Sequence, residues 1–489
     1  MKPTLILCFL SVALRLGACC CPILLVPIVA SAEDWPQFRG PNCSGVSTSR
    51  ALPVQFSATD KLRWEATLGE GVSSPIVVAG RVISTAMTGP QEFSVLCHDA
   101  ATGGLNWKTS FATGALPAIV HPNVPASSTP TADADRVYVY LSTLGILGLD
   151  ARTGKELWRA PLEVPNYLMD WGAAASPILY QDSVIFCSDD DLSSYLIAID
   201  KRTGSVQWKT PRPEMLGGYA TPVICQTPER TEIVVAGTGK MKGYDPATGE
   251  ELWTCNTLLR TIMTSPMVRD GVIYLSAQSY GDTERILKFA LLEWKDTNQD
   301  GKLSPSEVPK EFAEKFAKAD KNKDGFLEGD ELDHAFQSPA NMAAGGSIVQ
   351  AIKGGGRGDV TKTHVVWNLT NKAPSNISSS LVVGDQLFVV KKGGICSSFD
   401  AATGETHWIT RRLQNLGEYF ASPVAGDGKI YVSGDNGFVV VLKQGRTLEI
   451  LAKNDLGDSL IATPAIADGR IYFRTKEKLL CIAEPEGTR

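Results

Sequence analysis

The chain has 489 residues, with 47 Lys and Arg against 53 Asp and Glu, a net charge of −6 at pH 7. That balance excludes a nucleic-acid binder of the usual kind, whose surface needs clustered cations. The 45 Gly and 28 Pro suit a turn-rich globular fold, long enough for two or three domains or for one large all-β ring.

Residues 1–32 read as a signal peptide. Lys2 gives a positive start, an apolar run follows, and Ala30-Ser31-Ala32 has the small-x-small form of a cleavage site. Arg15 interrupts the apolar run, so an uncleaved anchor and a lipid anchor at Cys19, within Leu16-Gly17-Ala18-Cys19, stay open as alternatives. No later run is long enough to span a bilayer. The expected location is periplasmic or extracellular. Seven cysteines follow the segment: Cys43, Cys97, Cys187, Cys225, Cys255, Cys396 and Cys481. Scattered and odd in number, they read as buried small apolar residues rather than a disulfide framework.

From residue 33 on, an internal repeat organises the chain. Asp, then Gly four residues on, then Trp four further on, recurs as Asp99-Gly103-Trp107, Asp150-Gly154-Trp158, Asp200-Gly204-Trp208, Asp245-Gly249-Trp253 and Asp400-Gly404-Trp408. Asp accepts from turn N–H groups and Gly supplies positive φ, so each copy predicts a hairpin turn with the Trp on its second strand. A hydroxyl residue before Pro opens each unit, at Ser74, Thr129, Ser176, Thr221, Ser265, Ser422 and Thr463; Ser379-Ser380 holds the same place without Pro. Eight units of four short strands predict an eight-bladed β-propeller. The last unit lacks a Trp strand, and Leu62-Arg63-Trp64 precedes the first unit, so the N-terminal strand is expected to complete the last blade and leave no free edge.

These turns resemble the tryptophan-docking motif of the quinoprotein-like β-propeller repeat family, most clearly at Asp150-Ala151-Arg152-Thr153-Gly154-Lys155-Glu156-Leu157-Trp158. Asp34-Trp35-Pro36-Gln37-Phe38-Arg39-Gly40-Pro41 looks like the opening of bacterial members. The resemblance implies that each Trp packs between neighbouring blades. The fifth unit, ending Val365-Val366-Trp367, lacks the Asp and Thr-Gly, and the seventh has Lys443-Gln444-Gly445-Arg446 and no Trp.

The propeller is read as 33–281 and 344–489, interrupted in blade 5 by an insert, 282–343, with two EF-hand loops. The first offers Asp296, Asn298, Asp300, Lys302 through its carbonyl, Ser304 and Glu307; the second offers Asp320, Asn322, Asp324, Phe326 through its carbonyl, Glu328 and Glu331. Oxygen ligands at positions 1, 3 and 5, Gly at 6, an apolar residue at 8 and Glu at 12 are what Ca2+ requires of a twelve-residue loop. Leu303 and Leu327 are placed to face each other across a short strand pair. Ile286–Lys295 reads as the entering helix, with Leu287, Leu291 and Trp294 on one face, and Phe312 and Phe316 sit at i, i+4 between the loops. With one more carboxylate, the second loop is expected to bind the more tightly.

Elsewhere, His98, His121, His334, His364 and His407 show no metal spacing and read as turn or surface residues. Asp189-Asp190-Asp191 reads as a solvated loop, with a further cation site as the alternative. Arg357-Gly358-Asp359 reads as a tight loop beside the channel. Asn368 and Asn376 head glycosylation sequons. Two functions are expected. One is a non-catalytic, calcium-binding interaction or scaffold propeller with a protein partner, as the resemblance implies through a scaffold subunit of the outer-membrane β-barrel assembly machinery. The alternative is a dehydrogenase dependent on pyrroloquinoline quinone (PQQ), with Trp171, Tyr219, Arg357, Glu418 and Tyr419 around the channel mouth.

Overall fold

The computed structural model describes residues 33–485 apart from 169, 258–262, 279–291, 293–294, 335–346, 371–376, 414–415 and 419. The segment read as a signal peptide, Cys19, Tyr419, Asn376 and most of the expected entering helix, 286–295, lie outside the described residues.

Among the described residues eight sheets follow one another in the chain, antiparallel throughout except for one short parallel edge strand on the fourth. Blade 3 is typical: Ile178–Tyr180, Ser183–Ser188, Tyr195–Asp200 and Val206–Pro211 pair in order. Its middle strands are buried on both faces, while Val206–Pro211 alternates toward solvent, as an outer strand must. Inner strands of neighbouring blades lie against one another, and Ala465–Ala467 of blade 8 meets Ile76–Val78 of blade 1. Blade 8 is completed by Leu62–Thr67, which pairs antiparallel with Lys478–Ala483, so the predicted closure holds.

The repeated turn works as its residues dictate. Asp150 Oδ1 accepts from the amides of Arg152 and Thr153 and from the Thr153 hydroxyl, at 2.7–3.1 Å. Gly154 has φ of 71°, and a Cβ there would lie 2.4 Å from Trp107 of the preceding blade. Trp107 Nε1 donates to Ala151 O at 3.0 Å. Trp64, Trp158, Trp208 and Trp367 dock on the next turn in the same way. The two irregular units show their effect one blade earlier. Trp253, facing blade 5, donates to Glu232 of its own blade instead, and Trp408 Nε1, facing blade 7, has no partner among the described residues.

The hydroxyls that open the blades form a girdle. The amide of Ser74 donates to Thr129 Oγ1, that of Thr129 to Ser176 Oγ, and so on through Thr221, Ser265, Ser379 and Ser422 to Thr463, seven links of 2.9–3.4 Å. Pro after most of these residues removes an amide that would have no ladder partner.

Residues 33–49 close the far end of the inner strands as a plug. Trp35 exchanges backbone bonds with Val77, Pro36 accepts from Ala132, and Asn42 makes two side-chain bonds to Ile224. Arg39 donates to Ser380 O, Gly45 and Ser47 bond Ala425, and Ser49 accepts from Gly469. Blades 1, 2, 4, 6, 7 and 8 are thereby tied to one short segment.

Candidate functional site

Above the plug lies an axial cavity of about 380 Å³. Its wall carries all eight girdle hydroxyls, its floor includes Phe38, and Trp171, Tyr219 and Phe420 make it aromatic. Tyr219 stacks on Tyr167 with centroids 5.2 Å apart, and Trp171 packs against it at 6.4 Å. Burial pushes the Tyr219 phenol well above its ordinary pKa, so it stays neutral. No Asp, Glu, Lys or Arg is among the described lining residues.

The second candidate is the insert. Both twelve-residue loops turn at glycine, with φ of 81° at Gly301 and 85° at Gly325. Leu303 and Leu327 exchange backbone bonds of 3.0 and 2.8 Å, so the loops are coupled as expected. Position-1 carboxylates turn inward, with Gly301 N donating to Asp296 Oδ2 at 2.8 Å and Gly325 N to Asp320 Oδ2 at 3.0 Å. In the first loop Glu307 accepts from Thr297 and Ser304 amides at 3.0 and 2.9 Å. Burial opposes its ionisation, and these hydrogen bonds outweigh it and hold its pKa below the ordinary value. Lys302 pairs with Glu328 across the loops at 2.6 Å.

The loops differ in one respect. Asp320 Oδ1 and Glu331 Oε2, at positions 1 and 12 of the second loop, are buried with no partner among the described residues. Buried carboxylate oxygens require a hydrogen bond or a cation, and this donor set of carboxylate, amide and carbonyl oxygens fits Ca2+. Among the described residues no three His, Cys, Asp or Glu side chains already form a tight cluster. The loop carboxylates are instead engaged with loop amides.

The insert leaves blade 5 but packs on the loops of blade 3. Leu168 and Leu192 enter an apolar cluster with Leu303, Val308, Phe312, Phe316, Leu327 and Leu332. Lys295 pairs with Asp170 at 2.5 Å, and Lys315 Nζ donates to Asp191 O. A crevice between Pro165, Tyr167 and Ile119 on one side and Pro309 and Phe312 on the other marks the seam. Residues 120–123 and 171 of these same loops line the axial cavity.

A family model described as outer membrane protein assembly factor BamB, built on PQQ-type repeats, matches residues 46–210, 193–293 and 344–489. The chain belongs to this PQQ-like propeller family. Against the quinoprotein ethanol dehydrogenase of Pseudomonas aeruginosa it is 29% identical over 135 residues, 24% of this chain and 20% of that one. The match thus spans about a fifth of the relative's length. Among solved structures, BamB from Moraxella catarrhalis superposes with a TM-score of 0.53 at 14% identity, covering 87% of this chain and 99% of that one. The quinohemoprotein alcohol dehydrogenase of Comamonas testosteroni gives 0.51 at 13%, covering 94% and 82%. At such identities these likenesses speak to fold alone.

Within this family frame, several sequence expectations need correction. Trp171 and Tyr219 do reach the cavity. Glu418 is not among its lining residues, and its amide donates to Asp435 instead. Arg357 is exposed far from the axis, because Gly358–Asp359 adds a short parallel strand to the outer edge of blade 4 beside Trp253. The Arg-Gly-Asp loop is therefore peripheral. Asp189 and Asp190 are buried rather than solvated. Asp189 makes a bidentate pair with Arg212 at 2.8 Å, and Asp190 accepts from the Asn166, Leu192 and Ser193 amides. His98 is buried on a strand. The seven cysteines are all buried and free, as expected.

PQQ is a planar quinone with three carboxylates, and the described lining offers those carboxylates His121 but no Lys or Arg, and offers an accompanying metal no Asp or Glu.

Proposed function

We propose that this chain is an exported, calcium-binding propeller that acts as a protein-interaction or scaffold module. The observation that carries the calcium half is the pair of coupled loops, with Asp320 Oδ1 and Glu331 Oε2 buried and unmatched in the second. The non-catalytic half is supported by an axial cavity that is plugged at one end and walled by hydroxyl and aromatic groups. Export rests on residues 1–32, and no helix among the described residues is long and apolar enough to cross a membrane. Membership of the BamB-type family favours a protein partner.

Calorimetry of the purified chain tests this. Two Ca2+ equivalents are expected. Glu331→Gln should weaken one site by more than about tenfold, or about 1.4 kcal/mol, and Glu307→Gln the other by less. A larger loss from Glu307→Gln would reverse the order of the sites. No calcium heat would remove the reading.

The alignment with quinoprotein ethanol dehydrogenase keeps a PQQ-dependent oxidoreductase as the second reading. Titration with PQQ, followed by Trp fluorescence, separates the two. Binding that requires a calcium beyond the two loops would put the dehydrogenase first.

A further inference from the structure

Among the described residues three arginines are fully buried, and they are balanced differently. Arg212 has the Asp189 carboxylate, with Nε and Nη2 each 2.8 Å from an oxygen. Arg474 has no carboxylate and its Nε is without an acceptor among the described residues, but Nη1 reaches Ser73 O, Ser73 Oγ and Thr85 O, and Nη2 reaches Gly69 O. Arg39, on the plug, has much less. Its Nη2 donates to Ser380 O at 2.5 Å and touches Met267 Sδ at 3.4 Å. Nε and Nη1 are buried without an acceptor among the described residues.

Among the described residues no carboxylate neutralises this guanidinium. The titratable group beside it is Cys43, whose thiol burial pushes up to about 12 and so keeps uncharged. Arg39 is itself lowered to about 10 by burial and still carries its proton at neutral pH. An unpaired buried cation is among the most costly groups a core can contain. Packing is close on the Nη2 side, where a Cβ on Gly45 would lie 3.2 Å from Nη2 and 3.0 Å from Leu381 Cδ1. A small anion would both accept from Nε and Nη1 and offset the charge. Ser380 Oγ, on the residue whose carbonyl takes Nη2, is a further buried hydroxyl without a partner among the described residues.

We propose that Arg39 binds a small monovalent anion of chloride size through Nε and Nη1, and that this buried ion pair locks the plug onto blades 5 and 6. The site is separate from the calcium loops and from the axial cavity, whose lining does not include Arg39. It would make the stability of the plugged ring depend on a halide.

The probe is bromide. Crystals of the natural chain grown with bromide in place of chloride should give an anomalous peak in contact with Arg39 Nε or Nη1, and none at Arg474. In solution, the thermal midpoint should rise saturably as chloride replaces gluconate at constant ionic strength. Density at Arg39 without anomalous signal would be water and would overturn the proposal. Bromide found only at surface positions, or a midpoint indifferent to halide, would overturn it too. Both readouts use the natural chain, so they do not depend on whether an Arg39 variant folds.

Discussion

Glycine in the repeated turn answers two demands at one atom. The backbone needs positive φ, and the indole of the preceding blade occupies the place of a Cβ. At Gly204 φ is 76° and a Cβ would lie 2.6 Å from Trp158. At Gly80 φ is 73°, but nothing lies within 4 Å of the Cβ position. The two demands can therefore be measured apart. Gly80→Ala should cost about 1–2 kcal/mol, the left-handed penalty alone. Gly204→Ala adds overpacking against the Trp and should cost about 2–5 kcal/mol in a urea titration. Equal losses would mean that the Trp moves aside freely. This turn was legible in the sequence because its chemistry is local: Asp, Thr, Gly and Trp all lie within nine residues. Asp189 was misread for the opposite reason. Its partner Arg212 lies 23 residues away and reaches it only once blade 3 has folded. A triplet of acids gives no sign of such a partner, and solvation is its ordinary fate.

Among the elements, the insert is the one whose placement the sequence did not indicate. Its loops declare themselves through ligand spacing, but the surface on which they rest is set by Leu168, more than a hundred residues earlier. The blade 2–3 connection gives its leucine to the apolar interior of the loop pair. The same connection carries Tyr167 and Trp171, which stack with or pack on Tyr219 at the cavity wall. A single loop therefore touches both candidate sites. Leu168→Asp should release the insert and leave the ring folded. Limited proteolysis would then cut within 282–343 much faster than in the natural chain, while the ring's thermal midpoint shifts little. Loss of the ring's cooperative transition would mean that the insert is part of the core and not a docked module.

At the scale of the whole ring, closure is the weak point and the N-terminal segment is its remedy. Seven blades are built from strands joined by chain, while blade 8 takes Leu62–Thr67 from the other end of the protein. Closure by pairing alone removes the last sheet edge, and it is the place where the ring opens first when pairing fails. Trp64, on the closing strand, is 8% exposed and docks on Ala100, while Trp158, inside the chain-linked series, is 9% exposed and docks on Lys201. Equal burial makes them a matched pair. Each Trp→Ala change should cost about 3–5 kcal/mol at equilibrium. The rates should part: Trp64→Ala should speed unfolding in pulse proteolysis more than Trp158→Ala, because the opening step breaks the contacts of the closing strand. The plug works against that step, since residues 33–49 bridge blade 1 at Trp35, blade 7 at Gly45 and blade 8 at Ser49, on both sides of the seam. Removing residues 33–50 should therefore magnify the kinetic effect of Trp64→Ala and leave that of Trp158→Ala nearly unchanged. If the truncation accelerates both variants alike, the plug stabilises the ring uniformly and the seam has no special place in its unfolding.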